Sequence, residues 1–110
     1  MAGRNIAEAH RPHRVRLFWT RRARLNRKGI REYIAQENSA AALALDELFA
    51  EKAGRLADHP GLGRVGRVAG TLELVVHKNY ILIYDVAGDQ VCVLRVPHAA
   101  RKWPPNGAEH

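Results

Sequence analysis

His98 stands between Arg95 and the pair Arg101-Lys102 in the stretch 94–103 (LRVPHAARKW), so an imidazole that titrates near neutrality lies among fixed cations. Such residues at a sheet edge can grip a phosphate and move a proton, and guanidinium grips better than ammonium because its fork is bidentate. The competing use of His98 is to cap a strand end by hydrogen bonds. A second basic feature is the glycine-rich run 61–70 (GLGRVGRVAG), where Arg64 and Arg67 sit among backbone amides that can approach an anion closely. It lacks the GK[ST] ending and the strand–loop–helix setting of a nucleotide loop, and its other reading is a flexible link from helix to sheet. The six histidines (10, 13, 59, 77, 98 and 110) show no ligand spacing with cysteine or acid, so neither a metal nor a cofactor is expected. Cys92, the single cysteine, rules out an internal disulfide and reads as a small buried residue.

Three strands have to position His98. Residues 72–77 (LELVVH), 80–86 (YILIYDV) and 90–96 (QVCVLRV) are rich in β-branched and aromatic side chains, and the turn pairs Lys78-Asn79 and Gly88-Asp89 join them as a meander. Residues 80–86 are apolar on both sides except at Asp85, which marks a central strand covered on both faces. In the next strand, alternation sets Val91, Val93 and Arg95 on one side, and Pro97 is expected to end pairing. His77 reads as an exposed turn residue, and Trp103 as an anchor for the tail.

Upstream, residues 15–19 (VRLFW) predict a short first strand at an edge or beside another strand. Thr20 then caps a helix running from Arg21 to about Glu37, with Ala23, Ile30, Tyr33 and Ile34 facing inward. Ser39 is the expected cap of a second helix, whose inward stripe is Ala41, Leu45, Leu48, Phe49, Lys52 and Leu56. His59-Pro60-Gly61 ends it, and the short link makes the two helices an antiparallel hairpin. The order β-α-α-β-β-β gives an α+β domain, a helical hairpin on one face of a mostly antiparallel four-stranded sheet.

With 110 residues the chain is one domain, divided here into a basic arm (1–14), the folded domain (15–104) and a disordered tail (105–110). Its net charge of +7 suits a polyanion or an acidic protein partner. Six of those cations lie in residues 21–31 (RRARLNRKGIR), a stretch without an acid that gains nothing from internal pairing. No stretch is long and apolar enough to span a membrane, and residues 1–14 lack an apolar signal core, so the expected location is the cytoplasm.

The ordered set of local sequences resembles the RelE/ParE superfamily, the toxic halves of bacterial type II toxin–antitoxin pairs. The resemblance is carried by residues 30–34 (IREYI), His59-Pro60, Gly63-Arg64, Gly66-Arg67, residues 70–75 (GTLELV), residues 80–84 (YILIY) and residues 94–104 (LRVPHAARKWP). It implies a small basic toxin neutralised by a cognate antitoxin. RelE-like members cleave mRNA in the ribosomal A site, whereas ParE-like members inhibit DNA gyrase and need no nuclease centre.

The nuclease branch implies metal-independent endoribonuclease chemistry, an mRNA interferase. His98, which matches the histidine of the YafQ-like nucleases, would be the general acid or base. Arg95 and Arg101 would clamp the scissile phosphate, and Arg64, Arg67, Lys78 and Lys102 would bind nucleic acid. The chain departs from that branch at Ile81, where RelE-like nucleases carry an arginine, and at Leu72, where an arginine is common; Val75 and Asn79 replace the YafQ-like histidine and aspartate. Arg27 stands where a leucine usually faces the core. On these residues ribosome-dependent mRNA cleavage is the expected activity, gyrase inhibition the alternative, and a member that only binds its antitoxin the third case.

Overall fold

The structure, a computed structural model, describes residues 15–99; the arm 1–14, the tail 105–110, and Arg101, Lys102 and Trp103 lie outside the described residues. In chain order the elements are β1 (Arg16–Trp19), α1 (Arg21–Ala35), α2 (Ser39–Asp58), β2 (Arg64–Val65), β3 (Leu72–His77), β4 (Tyr80–Ala87) and β5 (Gln90–Arg95). They form one sheet in the order β1-β5-β4-β3-β2, with β1 parallel to β5 and the other pairs antiparallel. The α+β class and the meander stand, but the sheet has five strands where four are expected. The extra one, β2, comes from the glycine-rich run. It is two residues long and exposed on both, so no hydrophobic period betrays it.

Thr20 fastens the first helix to the sheet. Its Oγ1 accepts from the Ala23 N–H at 3.0 Å and donates to the Leu94 carbonyl at 2.8 Å, while its own N–H donates to the Val93 carbonyl. The second helix is capped by Asn38 and not by Ser39: Asn38 Oδ1 accepts from the Ala41 N–H. Asparagine caps as well as serine, so local chemistry alone leaves a one-residue ambiguity. Two inward assignments also change. Tyr33 is 71% exposed, and Ala41 is exposed while Ala42, Ala53 and Ala57 are buried. The hairpin meets the sheet with small alanines interleaved between Phe49 and Leu56.

The main core lies between the hairpin and the sheet, where Phe49, Ala53 and Leu56 pack with Tyr80, Leu82, Tyr84, Val91 and Val93. Burying each large side chain of this set contributes about 1.5–3 kcal/mol. Ile81 and Ile83 point to the other face and are covered by Val68, Leu94 and Ala99. From Tyr80 to Tyr84 every residue is buried, as a central strand requires.

Two polar contacts lock these layers. Tyr84 Oη donates to the Pro60 carbonyl at 2.8 Å and accepts from the Gly63 N–H at 2.9 Å, which holds the run after α2 against the sheet. Gly63 must be glycine, because a Cβ there would lie 2.6 Å from the Glu73 carbonyl oxygen and 2.8 Å from Tyr84 Oη. The second contact explains Arg27. It grips both carboxylate oxygens of Asp46 at 3.0 and 2.9 Å, and its guanidinium lies 4.5 Å over the Trp19 ring. The helix turn that a leucine would pack is held instead by an ion pair roofed on an aromatic.

Replacing Tyr84 with Phe strands the Pro60 carbonyl and the Gly63 N–H, and is expected to cost about 1–3 kcal/mol in a urea titration. Burial raises the Tyr84 phenol above its ordinary pKa, a rise only partly offset by the Gly63 hydrogen bond. Its folded-state pKa therefore exceeds the unfolded one. The stability it contributes is whole below about pH 10 and is lost as pH rises through the folded value, so Tyr84→Phe should shrink the alkaline fall in stability. Asp46→Ala leaves a half-buried guanidinium and is expected to cost about 1–3 kcal/mol. Arg27→Leu, which removes the charge and keeps the packing on Trp19, should cost less than Asp46→Ala in the same titration.

Candidate functional site

β5 does not deliver Arg95 where strict alternation would. Val93 stands opposite Tyr84, but the next pair is Arg95 with Ile83, so Leu94 is an inserted residue and the register shifts there. Arg95 thereby leaves the Val91–Val93 face. Its Nε and Nη1 atoms are shut off from solvent. Two of its guanidinium nitrogens are thus enclosed at the strand end, while the residue as a whole is half-buried on the rim of a groove.

Pairing continues past Pro97, which contributes a carbonyl where it has no N–H to give. The Ile81 N–H donates to the Pro97 carbonyl, the Ala99 N–H donates to the Asn79 carbonyl at 2.6 Å, and His98 forms a bridge with Tyr80. His98 is half-buried, its ring 5.1 Å from the Tyr80 ring and tilted 70° to it, an edge-on contact. His77, expected to be exposed, is also half-buried. Its Nδ1 accepts from the Asn79 N–H at 3.1 Å, and its ring centroid lies 6.3 Å from that of Tyr80. The two imidazoles flank one tyrosine.

This end of the sheet forms one rim of a groove of about 1220 Å³. The chain from Arg95 to His98 makes that rim with His77, Asn79 and Tyr80, and Leu25, Ile30, Ile34, Leu45 and Leu48 of the hairpin make the opposite wall. Asn26 joins the two sides, its Oδ1 accepting from the Val96 N–H at 2.9 Å. The groove is mainly apolar, with both of its histidines, His77 and His98, at the sheet end.

The basic residues expected to steer nucleic acid do not join this groove. Arg64 and Arg67 converge on Glu73, a carboxylate 2% exposed on the sheet face away from the helices. Arg64 Nη2 lies 3.2 Å from Glu73 Oε1, the Arg67 N–H donates to Oε2 at 3.0 Å, and Arg67 Nε lies 3.6 Å from Oε1. A buried carboxylate is costly unless paired in this way, so the two arginines have a structural task. Both remain half exposed or nearly so. Lys78 is exposed in the β3–β4 turn, while Arg101 and Lys102 lie outside the described residues. Glu73 is not among the candidate residues above, yet the sequence carries a signal for it: an acid inside the apolar run 72–76, with two arginines six and nine positions upstream.

Cys92 is half-buried opposite Asp85; burial first, and the Asp85 charge second, push its thiol above the usual range. Among the described residues no three of His, Cys, Asp and Glu gather as a metal-binding group would require, and no helix is long and apolar enough to cross a membrane.

Similarity to known proteins follows this geometry. Residues 17–103 match the model of the ParE toxin of the type II toxin–antitoxin system parDE. Toxin RelE2 of Caulobacter vibrioides is 37% identical over 87 residues, 79% of this chain and 98% of that protein. A Sinorhizobium fredii protein that carries the name toxin Y4kP is 36% identical over 92 residues, 83% of this chain and 95% of its own. In fold, the chain resembles a protein of the chromosomal ParDE system from P. aeruginosa, with TM-score 0.69 and 24% identity over 78% of this chain and 97% of that one. It also resembles a chain of the RelBE2 toxin–antitoxin complex of Mycobacterium tuberculosis, with TM-score 0.53 and 22% identity over 83% and 98%. The family model spans nearly all of the described domain, and with relatives more than a third identical over almost their full length the chain belongs to the ParE toxin family of type II toxin–antitoxin systems.

Proposed function

We propose that this toxin arrests growth by binding DNA gyrase, as a ParE-like inhibitor without a nuclease centre, and that a cognate antitoxin neutralises it. The observation that carries this reading is the fate of Arg95. RNA cleavage needs a group to take the 2′-hydroxyl proton, a cation on the phosphorane and a group to protonate the leaving oxygen. Arg95 is the cation expected at this site, and its Nε and Nη1 are buried at the end of the strand. Ile81, at the position where nuclease relatives carry an arginine, is 2% exposed and packed with Ile83, Val68, Leu94 and Ala99, so that place is filled with apolar atoms. Arg64 and Arg67 are held by Glu73. Antitoxin binding is supported by the apolar groove, whose edge carries Leu25, 51% exposed, and Tyr33. An amphipathic segment laid there would cover them. Both targets named by the resemblance are in the bacterial cytoplasm.

A second reading keeps His98 as general acid or base for ribosome-dependent mRNA cleavage, with Arg101 on the phosphate. It is favoured by His77 and His98 flanking Tyr80 at the groove rim.

Brief induction in cells, with pulse labelling of DNA and protein synthesis, separates the two. Under the gyrase reading DNA synthesis stops first, and the purified chain inhibits supercoiling of a relaxed plasmid by gyrase. Translation stopping first, with new mRNA ends on primer extension and supercoiling untouched, moves the assignment to the nuclease. His98→Gln is expected to leave growth arrest within about threefold of the parent chain, because catalysis by proton transfer supplies factors of roughly 10²–10⁴ and only that role would be abolished. Relief of arrest by a His98→Gln chain that melts at the parent temperature would reverse the proposal.

A further inference from the structure

The outward face of α1 carries a row of cations, of which Arg24 also donates from Nη1 to the Trp19 carbonyl at 2.8 Å. Arg21, Arg24 and Lys28 fall at i, i+3 and i+7, hence along one line of the helix, and all are exposed. At the start of that line, Arg21, Arg22, Leu25 and Asn26 surround a shallow hollow of about 360 Å³. Of the other cations of the helix, Arg22 stands beside the row at the hollow, and Arg27 and Arg31 both lie on Asp46. Along the row the nearby acid is Glu32, whose Oε2 is 3.9 Å from Lys28 Nζ with both side chains more than half exposed, a pair that contributes little.

This arrangement is unfavourable for the isolated domain. The first turn of α1 holds no acid, and its arginines sit at the positive end of the helix dipole, where each cation is disfavoured. An anion on this face would reverse the sign of every one of these terms. Two features of the face narrow the kind of anion. A protein partner would need an apolar centre to the contact, and the row offers one large apolar neighbour, Leu25. Single-stranded RNA is gripped largely by stacking on aromatic rings, and no aromatic residue stands on the line from Arg21 to Lys28. A straight helix about 22 Å long, studded with guanidinium forks, instead fits the regular phosphates of a duplex.

We infer that the outward face of α1 binds the phosphate backbone of duplex DNA without regard to sequence, through Arg21, Arg24 and Lys28. The contact is made by the toxin alone and requires neither gyrase nor the groove, so it stands or falls separately from the proposed target. The test is fluorescence anisotropy of the isolated full-length chain with two labelled duplexes of unrelated sequence, across roughly 50–200 mM salt. Equal affinity for both duplexes is expected, with log affinity falling linearly with log salt. Arg21→Gln combined with Lys28→Gln should reduce that slope by about 2, at about 0.9 per phosphate contact, with the melting temperature unchanged. Glu32→Gln, which removes the repelling carboxylate and leaves the row intact, should tighten binding severalfold. The inference is overturned if the duplexes do not bind, if the folded double variant keeps the parent slope, or if polyglutamate or single-stranded RNA binds more tightly than duplex DNA. Should the double variant fail to fold, Glu32→Gln decides alone: tighter binding supports the row as the contact, and unchanged binding overturns it.

Discussion

A strand that is apolar on both faces must be covered on both, and β4 imposes that condition on everything around it. Tyr80, Leu82 and Tyr84 face the helical hairpin, while Ile81 and Ile83 face the other way. The hairpin answers the first demand with Phe49, Ala53 and Leu56. The second is harder for so short a chain, which has no further helix among its described residues to lay on that side. It is met by returning chain: Val68 from the run after α2, and Leu94 and Ala99 from β5 and its continuation. The Tyr84 hydroxyl reaches the edge of this arrangement and fastens Pro60 and Gly63, so one side chain serves the helix-side core with its ring and the returning loop with its oxygen.

Charge is organised by the same economy of structure. Two acids each collect two arginines, Asp46 taking Arg27 and Arg31, and Glu73 taking Arg64 and Arg67. Each cluster keeps an excess positive charge, which leaves the surface around it basic. The net charge of +7 is therefore not spread evenly over solvent-facing side chains. Among the described residues, part of it binds helix to helix and loop to sheet, and another part lies along the outward line of α1. Counting cations along the sequence cannot separate these uses; the placement of two acids can.

Much of the architecture was legible in the residues, and its failures have local causes. Strand-forming runs with turn pairs between them located β3, β4 and β5 closely, and Thr20 as a cap marked the start of α1. β2 was missed because two exposed residues carry no period. Its formation depends on Glu73 drawing Arg64 across from the next strand. Strict alternation puts Arg95 on the Val91–Val93 face because it assumes no inserted residue, and the register shift at Leu94 is visible only in the strand pairing. Pro97 was read as the end of pairing because its missing N–H is visible in the sequence, whereas the use of its carbonyl by Ile81 is visible only in three dimensions. The groove was not anticipated at all. It exists between elements, and no single element announces it.

Ile81 shows how the outer cover of β4 decides which side chains the central strand can carry. An arginine at that position would have to send its guanidinium out through the layer formed by Val68, Leu94 and Ala99, or remain buried among them unpaired, at a cost of several kcal/mol. Isoleucine instead completes the outer cover of β4. Ile81 is part of what keeps the central strand dry, and a cation at that position would need the returning chain to move aside. The scaffold thus constrains its own positions from within: the apolar layer that stabilises the strand also leaves no room for an unpaired cation at residue 81.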